Sequence, residues 1–441
     1  MVKISTNRSK FVDNFTMETY GKILLIAMPA FLTLVLFEKL YGRLKGFDTV
    51  RQLDMISSLS SGVTNVTKSV LELTIVIAIY PFMLKHFAVT SIENTWIVYL
   101  LTFIILDFNG YWIHRWSHQI NLFWNLHIIH HSSEEFNLAC ALRQSISAFF
   151  NLFTILLLPA ALLGIPQQVI STIAPLHLFA QFWYHTRHID KMGWLEKVLV
   201  TPSHHRVHHA INPEYMDKNL SQIFIIWDKL FGTFTAEKKE IPPVYGITRP
   251  ARTWNPIRIN FQHLWLLMKD SWRTQNWSDK FTLWFKKTGY RPADVEARFP
   301  VEKIENVYQF EKYDTKTSPL FTSWAWTQLV FLLLFISYLF GSIAAINSLN
   351  TFYIYYYGAF IFIYVFALTE LMDRKPLAMV WEILKCIVGG WILFTQQDWF
   401  GLSAHVNHPT LLIVGYLIFS FCSSSWFWVK HRQEDLQIKS A

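Results

Sequence analysis

The stretch Asp107-Phe108-Asn109-Gly110-Tyr111-Trp112-Ile113-His114-Arg115-Trp116-Ser117-His118 decides how the rest of the chain is read. It closes an apolar run that starts at Trp96 and passes without a helix breaker into an HxxxH pair. On one helix, His114 and His118 lie a turn apart on the same face. A segment of membrane-spanning character thus carries two imidazoles at its end.

Two further groups repeat this one-sided geometry. In His127-Ile128-Ile129-His130-His131, positions i, i+3 and i+4 share a face; in His204-His205-Arg206-Val207-His208-His209 the spacing recurs at His205, His208 and His209. A lone histidine near a membrane end is usually an interfacial anchor. Three clusters at helical spacing between His114 and His209 are hard to produce by chance, and ionisable groups near membrane segments tend to be functional. Neutral imidazole is a ligand favoured by iron, copper, nickel and zinc. The eight clustered imidazoles exceed the four ligands of a tetrahedral zinc and suit two metals with open positions. Redox chemistry with dioxygen is the natural use of such a pair. His185, which follows Phe182-Trp183-Tyr184, is expected as a ninth ligand. His177 is read as core or channel lining, and His86, His263, His405, His408 and His431 as structural.

Outward from the clusters, composition names the solvent. Of 441 residues, 52% are hydrophobic, 17% aromatic and 16% charged, whereas an average globular chain carries about 25% charged residues. The net charge is +8, but the basic residues are spread through the links between apolar runs. That distribution fits positive-inside topology or anionic head groups and argues against a nucleic-acid partner. Cys140, Cys386 and Cys422 are too few and too scattered for a disulfide framework or a zinc ribbon.

A membrane span needs about 20 mostly apolar residues. The expected apolar segments are Tyr20 to Leu40 (a retained helix rather than a signal peptide), Val70 to Phe87 and Trp96 to Ile113. Ala148 to Gly164 and Val169 to Tyr184 follow, as two spans or a re-entrant hairpin. Phe321 to Ile346, Tyr353 to Leu371, Ala378 to Phe394 and Thr410 to Trp428 form a second block. Between the blocks, His185 to Ser318 is expected to face water or the interface. The fold class is therefore all-α: a polytopic integral membrane helical bundle with a histidine-rich di-metal site at one membrane face. A catalytic unit over residues 1–305, with its histidine core at 106–234, and a C-terminal transmembrane block over 306–441 are expected.

With HxxxH, HxxHH and a later HxxHH in this order, the chain resembles the fatty acid hydroxylase / sterol desaturase superfamily. The flanking words are similar to its alkylglycerol monooxygenase branch: Ser132-Ser133-Glu134-Glu135, Ala141-Leu142-Arg143-Gln144-Ser145, Thr201-Pro202-Ser203 and Ile226-Trp227-Asp228-Lys229-Leu230-Phe231-Gly232. The resemblance is strong from about Leu106 to Phe234 and rests on hydropathy beyond Thr248. It implies a membrane oxidoreductase with two iron ions and dioxygen, inserting oxygen into a lipid C–H bond next to an ether oxygen and releasing a fatty aldehyde and a glycerol derivative. Tetrahydrobiopterin supplies electrons in that branch, and cytochrome b5 or another carrier such as a ferredoxin in the sterol and acyl relatives. In the animal enzymes a glutamate follows the second histidine. Here the position holds Gln119, which leaves the electron donor open.

On this reading His114, His118, His127, His130, His131, His205, His208 and His209 are catalytic metal ligands, joined by His185. Bound imidazoles usually give their other N–H to a carboxylate or carbonyl. Asp107, two helical turns before His114, and Asp228 are candidates for that part, with Glu134 behind them; His204 points off the ligand face and belongs behind the ligands. Arg143 and Gln144 could hold a head group or cofactor, and Trp112, Trp116 and Trp183 could line an acyl channel. The substrate is a lipid within the membrane. The lysine and arginine of His185 to Ser318 place the active site towards the cytoplasm, in the endoplasmic reticulum of a eukaryote or the inner membrane of a bacterium. The rivals are a sterol or fatty acyl hydroxylase or desaturase of the same chemistry and, more remotely, a metal transporter or sensor.

Overall fold

The computed structural model describes residues 17–71, 79–93, 95–148 and 152–440. Helices account for its regular structure; the described residues form no strand, only isolated bridges such as Leu199 to Phe224. The principal helices are α1 Met17–Leu44, α2 Gln52–Val70, α3 Trp96–Gln119, α4 Gln167–Phe179, α5 Pro202–His208, α6 Pro256–Arg273, α7 Pro319–Gly341, α8 Tyr353–Met372, α9 Ala378–Gln396 and α10 Pro409–Ser440. Six of them, α1, α3 and α7 to α10, are long and apolar enough to cross a bilayer. The chain is an integral multi-pass membrane protein.

Helices α1 and α2 pack against α7, α2 also meets α8, and α9 lies between α8 and α10. One apolar core runs from Leu24 and Val35 through Ile56 and Val63 to Leu332, Phe360 and Leu417. Within it sits a polar knot: Lys385 Nζ lies 2.9 Å from Glu382 Oε1 and 2.7 Å from Ser420 Oγ, beneath the Tyr364 ring. Burial of such a pair in apolar surroundings requires this mutual satisfaction.

Helix α2 has no counterpart in the hydropathy of the sequence. Its serines and threonines lower the average, yet Ser57, Ser58, Ser60, Ser61, Thr64 and Thr67 are all fully buried. The Thr64 and Thr67 hydroxyls donate back to Ser61 and Val63 carbonyls within the helix, and Ser57 donates to Trp254 O at 2.7 Å. Of the expected span Val70 to Phe87, α2 ends at Val70, Ile79–Phe87 is helical, and residues 72–78 lie outside the described ones. Of Ala148 to Gly164, the described part is a 3-10 turn, Leu152–Leu157, and a short helix, Leu158–Leu162. Helix α4 has 13 residues, about 20 Å at 1.5 Å per residue against a hydrocarbon core of about 30 Å. Leu152–Leu157, Leu158–Leu162 and α4 pack on α3, and Ile79–Phe87 packs on the first two.

Candidate metal centre

Four local structures deliver the histidines. The last turns of α3 carry His114 and His118, and the single turn Ile128–His131 follows His127. His185 comes six residues after the end of α4. Helix α5 starts on Pro202, whose fixed φ and missing N–H suit the first helical position, and presents His205 and His208, with His209 capping it.

All nine expected ligands come together, in two groups. His114, His118, His127, His131 and His208 form one, His130, His185, His205 and His209 the other, and within each group the candidate ligand atoms lie within 4.8 Å of one another. Four of the nitrogens turned away from the groups meet backbone. His114 Nδ1 is 2.7 Å from Leu220 O, His208 Nδ1 3.1 Å from Lys218 O, His185 Nδ1 3.0 Å from Gln181 O and His130 Nδ1 3.3 Å from Arg143 O. His118 Nδ1 faces Asp217 Oδ1 at 3.4 Å. A carbonyl only accepts, so each of those four Nδ1 atoms carries the proton and each Nε2 is a bare lone pair.

Those lone pairs converge. His185 Nε2 lies 3.3 Å from His130 Nε2 and 2.9 Å from His205 Nε2, and His209 Nε2 is 3.1 Å from His130 Nε2. In the other group the Nε2 atoms of His118, His131 and His208 are buried with no hydrogen-bond partner. Lone pairs gathered this closely, without a proton between His130 and His185, need a cation, so the residues fit a metal in each group. Burial and then repulsion from neighbouring imidazoles hold His127, His131, His205 and His209 well below the ordinary histidine range. Burial likewise pushes His185 down to about 4. At neutral pH these rings are in their ligand form.

The two faces of the centre differ. A cavity of about 520 Å³ touches His114, His127, His130, His185 and His205, and its wall is largely apolar, with Phe31, Leu59, Val63 and Phe182 among the lining residues. The amides of Asn65, Gln144, Gln181 and Gln222 punctuate it. Gly110 makes room for one of them, since a Cβ there would stand 2.0 Å from Gln222 Oε1. A second cavity, about 330 Å³, touches His118, His131, His208 and His209 and carries basic side chains, Arg249, Lys287 and Arg291, on its wall. The nine imidazoles form a partition between them.

The residues expected behind the ligands are arranged otherwise. Asp107 accepts from the Ile223 and Phe224 amides at 2.9 and 3.0 Å and from the Trp227 indole at 2.8 Å, and pairs with His177 Nε2 at 2.8 Å. Two turns separate it from His114, about 10 Å along the axis, too far for a direct bond. Asp228 acts one bond further out: it takes the Leu220 and Ser221 amides at 2.7 and 2.8 Å, and so sets the carbonyl that receives His114. His204 lies off both groups, its ring edge on Phe234. Glu134 and Glu135 bind Tyr313 N and Lys312. Arg143, 2% exposed, pairs with Asp54 Oδ1 at 2.7 Å, while its carbonyl faces His130. Trp112 packs on Tyr111 and Phe231, away from both cavities.

The loop 217–220 escaped the sequence reading. It supplies Asp217 to His118, Lys218 O to His208 and Leu220 O to His114. Asp217 and Asn219 hold φ of 56° and 53°, left-handed values that Asp and Asn tolerate better than other side chains. Asn219 braces the loop by donating to His204 O at 3.0 Å and Thr235 O at 2.8 Å.

Comparison with known proteins follows this geometry. Residues 99–233, which hold every clustered histidine, match the fatty acid hydroxylase family. The alkylglycerol monooxygenase of Homo sapiens is 33% identical over 405 residues, covering 91% of this chain and 87% of that protein. Its Xenopus tropicalis counterpart is 32% identical, covering 85% and 81%. An ornithine lipid hydroxylase of Rhizobium tropici is 30% identical over 34% of the chain. No solved structure matches the chain. A histidine-walled centre at the head of an apolar cavity, carried on a chain that matches these relatives along most of its length, makes this protein a membrane-bound lipid monooxygenase and a member of the alkylglycerol monooxygenase family.

Proposed function

We propose that the chain cleaves the ether bond of alkylglycerol-type lipids at a di-iron centre held by the nine histidines. The observation that carries this reading is the five-plus-four grouping of imidazoles at the head of an apolar cavity. With iron bound in both groups, the centre would supply the activation of dioxygen for C–H oxidation; imidazole ligation and open positions suit that metal. The carbon beside an ether oxygen is a favoured target because the oxygen stabilises the radical left by hydrogen loss. Dioxygen, two electrons and two protons then give a hydroxylated carbon and water. The resulting hemiacetal divides into a fatty aldehyde and a glycerol derivative.

The chain's own residues bind and orient. Phe31, Leu59, Val63 and Phe182 give the alkyl tail an apolar wall and keep water from it, and the amides of Asn65, Gln144, Gln181 and Gln222 offer hydrogen bonds to hydroxyls. The backbone carbonyls at Nδ1 hold the ligand tautomers. Electrons arrive from a tetrahydropterin, a cytochrome b5 or a ferredoxin, and Gln119 in place of glutamate keeps this choice open. The basic stretch His185 to Ser318 supports a cytoplasm-facing site, in the endoplasmic reticulum or a bacterial inner membrane according to host. Residues 1–305 form the catalytic unit and 306–441 a C-terminal transmembrane helical block, whose Leu333 and Ser337 reach the lipid cavity.

Purified protein would be assayed for metal, then supplied with an alkylglycerol, dioxygen and a tetrahydropterin. Two irons per chain and release of fatty aldehyde are expected. Exchangeable zinc without turnover would overturn the enzyme reading in favour of transport or sensing. A second reading, hydroxylation or desaturation of a sterol or fatty acyl chain, draws on the partial likeness to a lipid hydroxylase and a sterol desaturase. Turnover of those lipids with a cytochrome or ferredoxin system, and none of alkylglycerol, would select it.

A further inference from the structure

The basic groups in the cavity on the far side of the imidazole partition are unexplained by a lipid substrate. Its wall carries Arg249, Lys287, Arg291 and Lys303 against a single carboxylate among the described residues, Asp217, which turns to His118. Arg291 is 7% exposed and clamped by Asp270, with Nε and Nη2 at 2.6 and 2.9 Å from its two oxygens. Its remaining Nη1 is buried and has no partner. Thr288 Oγ1, on the same wall, is also buried and unpartnered. Arg249, half-buried beside them, makes no hydrogen bond or ion pair among the described residues.

A buried guanidinium N–H without an acceptor is costly, and a second, unneutralised guanidinium at the same wall adds to the demand for negative charge. Planar forked donors suit the paired oxygens of a carboxylate or phosphate, with a hydroxyl to complete the set. We propose that this cavity is an oxyanion site, built from Arg291 Nη1, Arg249 and Thr288 Oγ1, which holds a carboxylate- or phosphate-bearing co-substrate against the imidazole face opposite the lipid. Apart from His118 at the last turn of α3, the wall belongs to segments outside the six membrane helices, so a soluble molecule reaches it from the aqueous side. The assignment rests on the oxygenase reading only in calling the ligand a co-substrate; the anion site itself stands on the cavity.

Sulfate is the probe, because it is an oxyanion with little affinity for iron. Titrated calorimetrically into the full chain in nanodiscs of neutral lipid, it should bind saturably. Arg249→Gln should weaken it about tenfold, the loss of one charge-assisted contact; Arg249→Lys should lose less, and Thr288→Val should weaken it several-fold. Arg249 serves better than Arg291 because its removal strands no buried carboxylate, and unchanged iron content and thermal midpoint would show that the variants are folded. Undiminished sulfate binding in nanodiscs containing phosphatidylglycerol supports a soluble ligand, and displacement by that lipid supports a head group in the same site. Absence of saturable binding, or equal binding in wild type and Arg249→Gln, overturns the site. Sulfate binding that Arg249→Gln abolishes, in a protein that does not oxidise alkylglycerol, would leave this site standing and fell the ether-lipid reading instead.

Discussion

His130 Nε2 stands 3.3 Å from His185 Nε2 although the Nδ1 of each ring is committed to a carbonyl, Arg143 O and Gln181 O respectively. Two lone pairs held face to face in a dry interior repel unless a cation joins them. The pair links the HxxHH turn to a residue that belongs to none of the three histidine clusters, and it makes His185 a direct measure of the four-histidine group.

On the proposed di-iron centre, His185→Ala should therefore remove one of two irons and abolish lipid oxidation while leaving the five-histidine group loaded. Elemental analysis of purified variant and wild type checks this. Two irons with full activity would remove His185 from the ligand set.

The Arg143 carbonyl can receive His130 only if the side chain is anchored, and the anchor is Asp54 on α2. Asp54→Ala leaves a guanidinium buried without its counter-charge and should cost about 3–5 kcal/mol, with iron lost from the centre. Thermal unfolding of variant and wild type together with metal content decides it. An unchanged midpoint would mean that the buried pair contributes nothing.

Gly110→Ala puts a methyl group where Gln222 Oε1 now lies, 2.0 Å from the new Cβ. The glutamine is flexible enough to move, so the protein should fold and keep its metal. Because Gln222 lines the lipid cavity, kcat/KM should fall about tenfold. Steady-state kinetics with an unchanged iron content would bear this out, and wild-type kinetics would contradict it.

Glu134 is pushed up to about 7, chiefly by burial. Between about 4.5, the ordinary glutamate value, and 7 the folded state therefore binds more protons at this carboxyl than the unfolded state does. The Glu134 contribution to stability is then present below pH 4.5 and is lost as pH rises through 7. Glu134→Gln, which carries no charge, should reduce the fall in thermal midpoint between pH 5 and pH 8 by a few degrees. Identical pH profiles for variant and wild type would contradict the shift.

Much of the centre was legible in the chain because helical spacing places His114 with His118 and His205 with His208 and His209 before any tertiary contact is known. The apolar lengths of α3 and α7 to α10 announced themselves in the same way. Helix α2 did not, since the buried hydroxyls of Thr64 and Thr67 are satisfied within the helix and those of Ser57 and Ser58 by Trp254 and Arg143, partners remote in sequence. Hydropathy scores such serines as if they faced water. Asp107 was placed behind His114 on helical phase alone, but phase says nothing about the axial distance or about the amides of Ile223 and Phe224 that compete for the carboxylate. Lys218 and Leu220 were invisible for a simpler reason: they act through backbone carbonyls, which leave no mark in residue type.

That loop has a mechanical consequence. A single short run of backbone steers His114 on α3 and His208 on α5, and its shape is set by the left-handed Asp217 and Asn219 and by the Asn219 side-chain hydrogen bonds rather than by either helix. Helix α3 is long and apolar enough to cross the bilayer, where changes in lipid thickness or lateral pressure would tilt it. With both imidazoles tethered to one rigid strap, such tilting should carry the pair along as a unit, so that the spacing of the centre is insulated from the mechanics of the membrane in which it works.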